Sequence, residues 1–286
     1  MRRSARGGRG RPAPVLTSAA RRLARRHDIP LHAGNGLVNY VCEVRGARAG
    51  GARSRAPRPR RAASRRCSCA DTPACLRQIP KWTRAKFEIA TAEPGNPIKQ
   101  DEKKGVLRDY KWGDMVFNYG ALPQTWEDPA HADVDTGHKG DNDPLDAVEF
   151  GYRPMCVGQV APVKVLGVLA MLDDGETDWK LLVLRADDPL AAVCHDVADL
   201  ERELPGAVSA LREWLRVYKL PEGKPLNTFA LDERAMPREY AMRVVAHTHA
   251  AWATAYGATA HKRARAVHAD APAEDAAPHA AAAARL

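Results

Sequence analysis

The seven residues Gly140-Asp141-Asn142-Asp143-Pro144-Leu145-Asp146 constrain this chain more than any other stretch. Three carboxylates within six residues repel one another, so a folded protein keeps them together only where cations neutralise them or water solvates them. The spacing suggests a calcium loop, but the fifth position is Leu145 and the sixth Asp146, where an EF-hand needs an oxygen ligand and then Gly. Taken alone, the cluster reads equally well as a solvated acidic turn. A second group, Asp173-Asp174-Gly175-Glu176-Thr177-Asp178-Trp179-Lys180, ends an apolar strand pattern, and Lys86, Glu88, Arg108 and Tyr218-Lys219 each stand beside apolar sequence. Acids in excess with a few fixed cations suit a polyanionic substrate that arrives with divalent metal. Carboxylate oxygens hold Mg²⁺ while leaving waters in its shell, and Arg or Lys takes the remaining phosphate oxygens. Phosphoryl chemistry is the class these residues predict.

The net charge of +9 invites a nucleic-acid reading, which its distribution opposes. Residues 1–28 hold nine Arg and one acid, residues 44–78 hold ten Arg and one acid, and residues 79–286 carry a net −7. The basicity sits in two Arg-rich stretches, and the part that reads as folded is acidic, unlike a duplex-binding face. An OB-like nucleic-acid binder with Arg-rich arms stays as an alternative, against which stands the absence of clustered aromatics interleaved with basic residues. Cys67, Cys69 and Cys75 lie in the second Arg-rich stretch without an accompanying His, a poor zinc spacing, and Cys42, Cys156 and Cys194 are scattered. No run approaches the roughly 18 to 20 apolar residues that cross a bilayer.

Residues 1–26 have the composition of an organellar transit peptide, with no apolar segment after the basic start. Folded sequence is expected from His27, with a strand-like run ending at Glu43. Residues 44–78, with ten Arg and eight Ala, offer nothing to offset ordering entropy and are expected to be disordered. Strands are predicted at Ala85 to Ile89, Met115 to Tyr119, Ala147 to Phe150, Gly158 to Leu172 and Asp178 to Leu184. Helices are predicted at Asp196 to Glu203, Val208 to Val217 and Arg238 to about Tyr256, followed by a frayed Ala-rich tail over 257–286. Short strands first and helices last is the order of an α+β domain built on a small barrel.

The segment Asp141-Asn142-Asp143-Pro144-Leu145-Asp146 also resembles the signature of the soluble, family I inorganic pyrophosphatases. So do Lys81-Trp82-Thr83 with Ala85-Lys86-Phe87-Glu88-Ile89, Asn96-Pro97-Ile98, Asn118-Tyr119-Gly120 with Pro123-Gln124-Thr125-Trp126-Glu127-Asp128-Pro129, Asp173 to Lys180, and Tyr218-Lys219 with Pro221 and Gly223-Lys224-Pro225. The resemblance covers about residues 27–43 and 79–256 and is to the eukaryotic branch, plastid members included. It implies a single domain over 27–256 interrupted by 44–78, with an OB-like five-stranded β-barrel and C-terminal helices packed against it. It further implies Mg²⁺-dependent hydrolysis of pyrophosphate to two phosphates by in-line attack of a metal-bridging hydroxide, several Mg²⁺ ions per site, and no nucleic-acid or membrane partner. A homodimer or a monomer is expected, in the chloroplast rather than the mitochondrion.

Residue by residue, Asp141, Asp146 and Asp178 resemble the tightest metal's ligands, and Asp173, Asp178 and Glu88 the ligands of metals that come with substrate. Asp143 resembles the general base, with Tyr119 and Lys86 also in the catalytic set. Arg108, Lys180, Tyr218 and Lys219 match groups around the two phosphates. Glu127 and Asp128 read as structural.

Two departures stand out. The family has an acid directly before Ile79-Pro80, where this chain has Gln78; Glu43 followed directly by Ile79 would restore the pattern, which makes Glu43 a metal-ligand candidate and residues 44–78 a retained intron or a looped-out insertion. Met115 stands where many eukaryotic members have a Tyr near substrate, and a thioether donates no hydrogen bond. A catalytically impaired relative is the further alternative.

Overall fold

The computed structural model of the chain describes residues 26–43, 84–93 and 96–269. Residues 1–25 of the expected extension, the 44–78 segment with its three cysteines, and the tail beyond Ala269 lie outside the described residues.

In chain order, β1 (His32–Gly34) and β2 (Leu37–Cys42) form an antiparallel hairpin, β3 (Phe87–Ile89) pairs with β4 (Ile98–Gln100), and β5 (Glu102–Lys103) pairs with β6 (Val106–Leu107). The strands β7 (Asn118–Ala121), β8 (Asp146–Glu149), β9 (Val160–Asp173) and β10 (Glu176–Arg185) follow, and β11 (Thr228–Phe229) and β12 (Met236–Pro237) both add to β9. The pairings β2–β7, β7–β8, β8–β10, β10–β9 and β9–β2 close a ring of five strands, antiparallel throughout except β8–β10. The helices are α1 (Val197–Glu203), α2 (Ala207–Val217) and α3 (Arg238–Ala269). The mixed sheet and the late helices agree with the α+β expectation.

Local chemistry explains where these elements start and what they bury. Asp196 opens α1 with a capping box completed by Asp199. In α2, the buried Val208, Leu211, Trp214 and Leu215 recur at helical spacing and lie on one face. Thr177 to Leu184 of β10 is buried throughout, because its two faces feed two cores. Trp179, Leu181 and Val183 join Tyr40, Leu145 and the α3 residues Val244 and Val245, whereas Leu182 and Leu184 join Leu200, Leu211 and Trp214 of the first two helices. The period of two puts Asp178 and Lys180 on the Leu182 face, so the apolar end of that face becomes a floor beneath its polar end.

Most expected boundaries fall within two residues of the observed ones, and two differ by more. The strand predicted from Met115 begins only at Asn118, although Met115 and Phe117 are still buried on the second core. The last helix runs on past Gly257 to Ala269, because the Ala, Lys and Arg that follow have high helix propensity and outweigh one Gly.

Gly120 lies where β7 approaches β2 so closely that a Cβ would meet the Val41 carbonyl oxygen at 2.0 Å. Gly120→Ala is therefore expected to destabilise the fold by about 3 kcal/mol or more through overpacking. The check is a urea unfolding curve, and a midpoint equal to that of the unaltered chain would contradict this close approach.

Candidate active site

The acidic turn is fixed by its neighbours before any ligand is considered. Asn142 adopts the left-handed region at φ 72°, and the Asp143 N–H donates to Asp141 Oδ1 at 2.9 Å. The Asn142 N–H donates to the Glu127 carbonyl (2.9 Å), the Glu127 N–H to the Asp143 carbonyl (3.0 Å), and Trp126 Nε1 to Asn142 Oδ1 (2.9 Å). A Cβ on Gly140 would lie 2.4 Å from the Glu127 carbonyl carbon, so only glycine lets the two segments meet. A parallel bridge between Gly140 and Thr177 then sets the turn beside Asp178.

The ring supplies the remaining groups by register. Asp146 opens β8 directly opposite Lys180 of the parallel β10, and Asp173 ends β9 opposite Glu176. Lys180 is buried; its Nζ donates to Asp146 Oδ2 at 2.5 Å and to Asp178 Oδ1, and the Tyr119 hydroxyl donates to the same Asp146 oxygen. Together these residues line a cavity of about 150 Å³ whose walls carry the carboxylates of Glu43, Glu88, Asp141, Asp143, Asp146, Asp173 and Asp178. The volume is below the roughly 300–1,000 Å³ of sites for drug-sized organic ligands.

Electrostatics follow from crowding. Burial, then Asp146, pushes Asp141 up to about 7 and Asp143 up to about 6. Burial first, and the neighbouring carboxylates after it, raise Glu43, Glu127 and Asp178 well above the usual carboxylate range. Burial opposes the charge on Lys180, but Asp146 and Asp178 outweigh it and hold the ammonium firmly protonated. Asp143 differs from its companions: the surrounding walls desolvate its carboxyl although the residue keeps solvent-exposed surface, and its carboxylate accepts no hydrogen bond among the described residues.

Cations stand around this centre on acidic supports. Lys86 Nζ donates to Glu88 and Asp101, each at 3.3 Å, and Arg108 Nη1 donates to the same Asp101 oxygen at 2.5 Å while Nη2 reaches Glu222 at 3.1 Å. Lys219 pairs with Asp173, which also has the Tyr218 hydroxyl at 3.5 Å. Of the residues singled out by sequence, Glu43, Lys86, Glu88, Tyr119, Asp141, Asp143, Asp146, Asp173, Asp178, Lys180 and Tyr218 line one cavity. Arg108 and Lys219 do not line it; they are tied to it through Asp101 and Asp173.

Sequence reasoning underrated five residues. Glu127 is buried, its Oε1 accepts from the Trp179 N–H at 2.9 Å, and its Oε2 has no hydrogen-bond partner among the described residues. Its proximity to the acidic turn depends on tertiary pairing, which its place in the Trp126 to Pro129 motif does not reveal. Asp101 and Glu222 hold the cations, and Tyr110 forms part of the cavity wall. Arg26, grouped by composition with the N-terminal extension, belongs to the fold: its carbonyl accepts from the Gln124 N–H at 2.7 Å, and its guanidinium lies 5.1 Å from the Tyr256 ring centre. Burial lowers the pKa of that guanidinium, and Tyr256, Asp143 and Asp141 counter the shift.

The donors fit a hard divalent cation. Glu127, Asp141 and Asp178 each bring one carboxylate oxygen within 4.8 Å of the others, all-oxygen ligation of the kind Mg²⁺ or Mn²⁺ takes. A closed ring of strands thus carries converging carboxylates able to hold a divalent cation, with braced cations around them.

The family profile described as inorganic pyrophosphatase matches residues 75–253. The chain is 45% identical over 226 residues to soluble inorganic pyrophosphatase 1, chloroplastic, of Chlamydomonas reinhardtii, covering 79% of this chain and 68% of that protein. It is 39% identical to soluble inorganic pyrophosphatase 6, chloroplastic, of Arabidopsis thaliana, covering 83% and 68%. Among solved structures, type I inorganic pyrophosphatase from Toxoplasma gondii superposes with a TM-score of 0.66 at 41% identity, covering 80% of this chain and 87% of that one. The chain spans only 53% of the Drosophila melanogaster inorganic pyrophosphatase and 62% of the human one. This chain belongs to the inorganic pyrophosphatase family.

With metal chelated, carboxylates whose pKa values are raised by the fold bind more protons folded than unfolded between about pH 4 and 7, so stability falls as pH rises through that window. The melting temperature in chelator is expected to drop from pH 5 to pH 8. Mg²⁺ at about a hundredfold its Kd should then add about 2.7 kcal/mol at pH 8, roughly 5–10 °C, and much less at pH 5. A melting temperature that rises with pH in chelator would contradict the crowding of these acids.

Proposed function

We propose that the chain hydrolyses inorganic pyrophosphate to two phosphates with Mg²⁺, at a site built on an OB-like five-stranded barrel. The observation that carries this reading is the convergence of seven carboxylates and the ammonium groups of Lys86 and Lys180 on one small polar cavity. A nucleic-acid-binding face would be basic, and the acid excess speaks against it.

Asp141, Asp146 and Asp178, with Glu127 alongside, would hold the first Mg²⁺, and Glu43, Glu88 and Asp173 would serve further ions. Bound magnesium would supply charge neutralisation and would lower the pKa of a coordinated water below its bulk value near 16. Asp143 acts as general base: its carboxylate is exposed to the cavity and has no competing hydrogen bond among the described residues, so it is free to take the proton of the attacking water. Lys86, Lys180, Lys219 and Arg108 offset charge on the phosphoryl oxygens, and the Tyr119 and Tyr218 hydroxyls orient them. No covalent intermediate is needed. The chloroplastic relatives and the Arg-rich, acid-poor first residues support a plastid location.

The test is phosphate release from pyrophosphate with Mg²⁺, for the chain as given and for one lacking residues 44–78. Asp143→Asn is expected to lower turnover by about 10²- to 10⁴-fold, the usual contribution of a positioned base, while calorimetric Mg²⁺ binding stays close to that of the unaltered protein. Absence of phosphate release from both chains would overturn the activity, and unchanged turnover in Asp143→Asn would remove that residue as the base.

A further inference from the structure

Tyr110 lies in the cavity wall without a role in the scheme above. The residue is 6% exposed, and its ring is wedged edge-on against Trp214 (centroids 5.1 Å apart, 79°) and Tyr218 (5.9 Å, 76°). Its backbone is tied by the Tyr110 N–H donating to the Arg84 carbonyl at 2.5 Å. Packing of this kind fixes both the position and the tilt of the ring.

The hydroxyl, by contrast, makes no hydrogen bond among the described residues and is not among their fully buried unpaired atoms, so it keeps access to the cavity that the residue lines. Burial raises its pKa to about 12, and the charges that act on it most are Lys86, Asp146, Glu43 and Lys180, all cavity residues. At neutral pH it is therefore a protonated donor facing a polar space. The neighbouring wall residue Met115 is fully buried, and its thioether offers no donor there. A donor held rigidly in a cavity wall that also carries the Lys86 and Lys180 ammonium groups, and lacking an acceptor, is an arrangement completed by an anion's oxygen.

We infer that Tyr110 is a substrate-binding residue of this chain, donating its hydroxyl hydrogen bond to a phosphate oxygen of pyrophosphate on the Lys86 side of the cavity; this rests on the hydrolase reading above. The competing account is that Tyr110 only fills the space between Trp214 and Tyr218, which a phenylalanine would do equally well.

Tyr110→Phe separates the two, because it keeps the ring and deletes the donor. Imidodiphosphate, a non-hydrolysable analogue, is titrated calorimetrically with Mg²⁺ into the full chain and into the variant, and kcat and KM for pyrophosphate are measured on both. The expected result is about a tenfold weaker Kd for imidodiphosphate and a comparable loss in kcat/KM, the effect of one hydrogen bond to a charged acceptor, with the melting temperature unchanged. Equal affinity and equal kcat/KM would overturn the inference while leaving the hydrolase reading intact. An unaltered chain that neither binds imidodiphosphate nor releases phosphate would overturn both.

Discussion

Lys180 is buried between Asp146 and Asp178, and the three can meet only because β8 runs parallel to β10. Two antiparallel neighbours would have been joined by a tight turn; the parallel pair needs a long connection, and β9 is threaded through it. That crossing puts the start of β8 opposite the middle of β10, so the last carboxylate of the acidic turn lands on the buried ammonium of Lys180. Deleting one partner of such a group leaves an uncompensated buried charge, commonly about 3–5 kcal/mol. The acidic turn, the ring closure and the lysine are thus a single constraint, and each would be unfavourable without the others.

The outer cations are held differently. Lys86 and Arg108 share Asp101, and Arg108 also reaches Glu222 from the segment after α2. These acids lie outside the cavity wall, so they restrain the cations without occupying the oxygen-binding space. Preorganisation of this kind matters because a side chain already ordered by the fold loses little further freedom when an anion arrives. The aromatic stack of Trp214 on Tyr218, with rings 5.1 Å apart and 5° from parallel, extends the same rigidity to the apolar floor.

How much of this was legible in the sequence depends on whether a residue's role is local. Asp141, Asp143 and Asp146 are crowded along the chain itself, so their need for cations can be read without a fold. The amphipathic spacing of Leu211, Trp214 and Leu215 likewise predicts α2 and the face it buries. Glu127 and Asp101 carry no such signal. Glu127 reaches the acidic turn through backbone bonds between segments, and Asp101 becomes a support only when the chain folds back so that the Arg108 N–H donates to the Asp101 carbonyl. Arg26 shows the opposite failure: composition averages it with its arginine-rich neighbours, whereas the fold anchors it by its own carbonyl and an aromatic ring.

Glu43 joins these strands of argument. Its N–H donates to the Tyr119 carbonyl at 2.9 Å, and it is 5% exposed in the cavity wall. That anchor comes from β7, beyond the 44–78 segment, so the residue's position does not depend on the chain continuing directly into the next strand. Closing a longer connection between two fixed points costs only about 0.6 kcal/mol per doubling of its length. Glu43 stands in the same wall as Glu88, Asp143 and Asp146, and we propose that its carboxylate serves a metal ion at this corner of the site, where the residue before Ile79 in the sequence is only an amide.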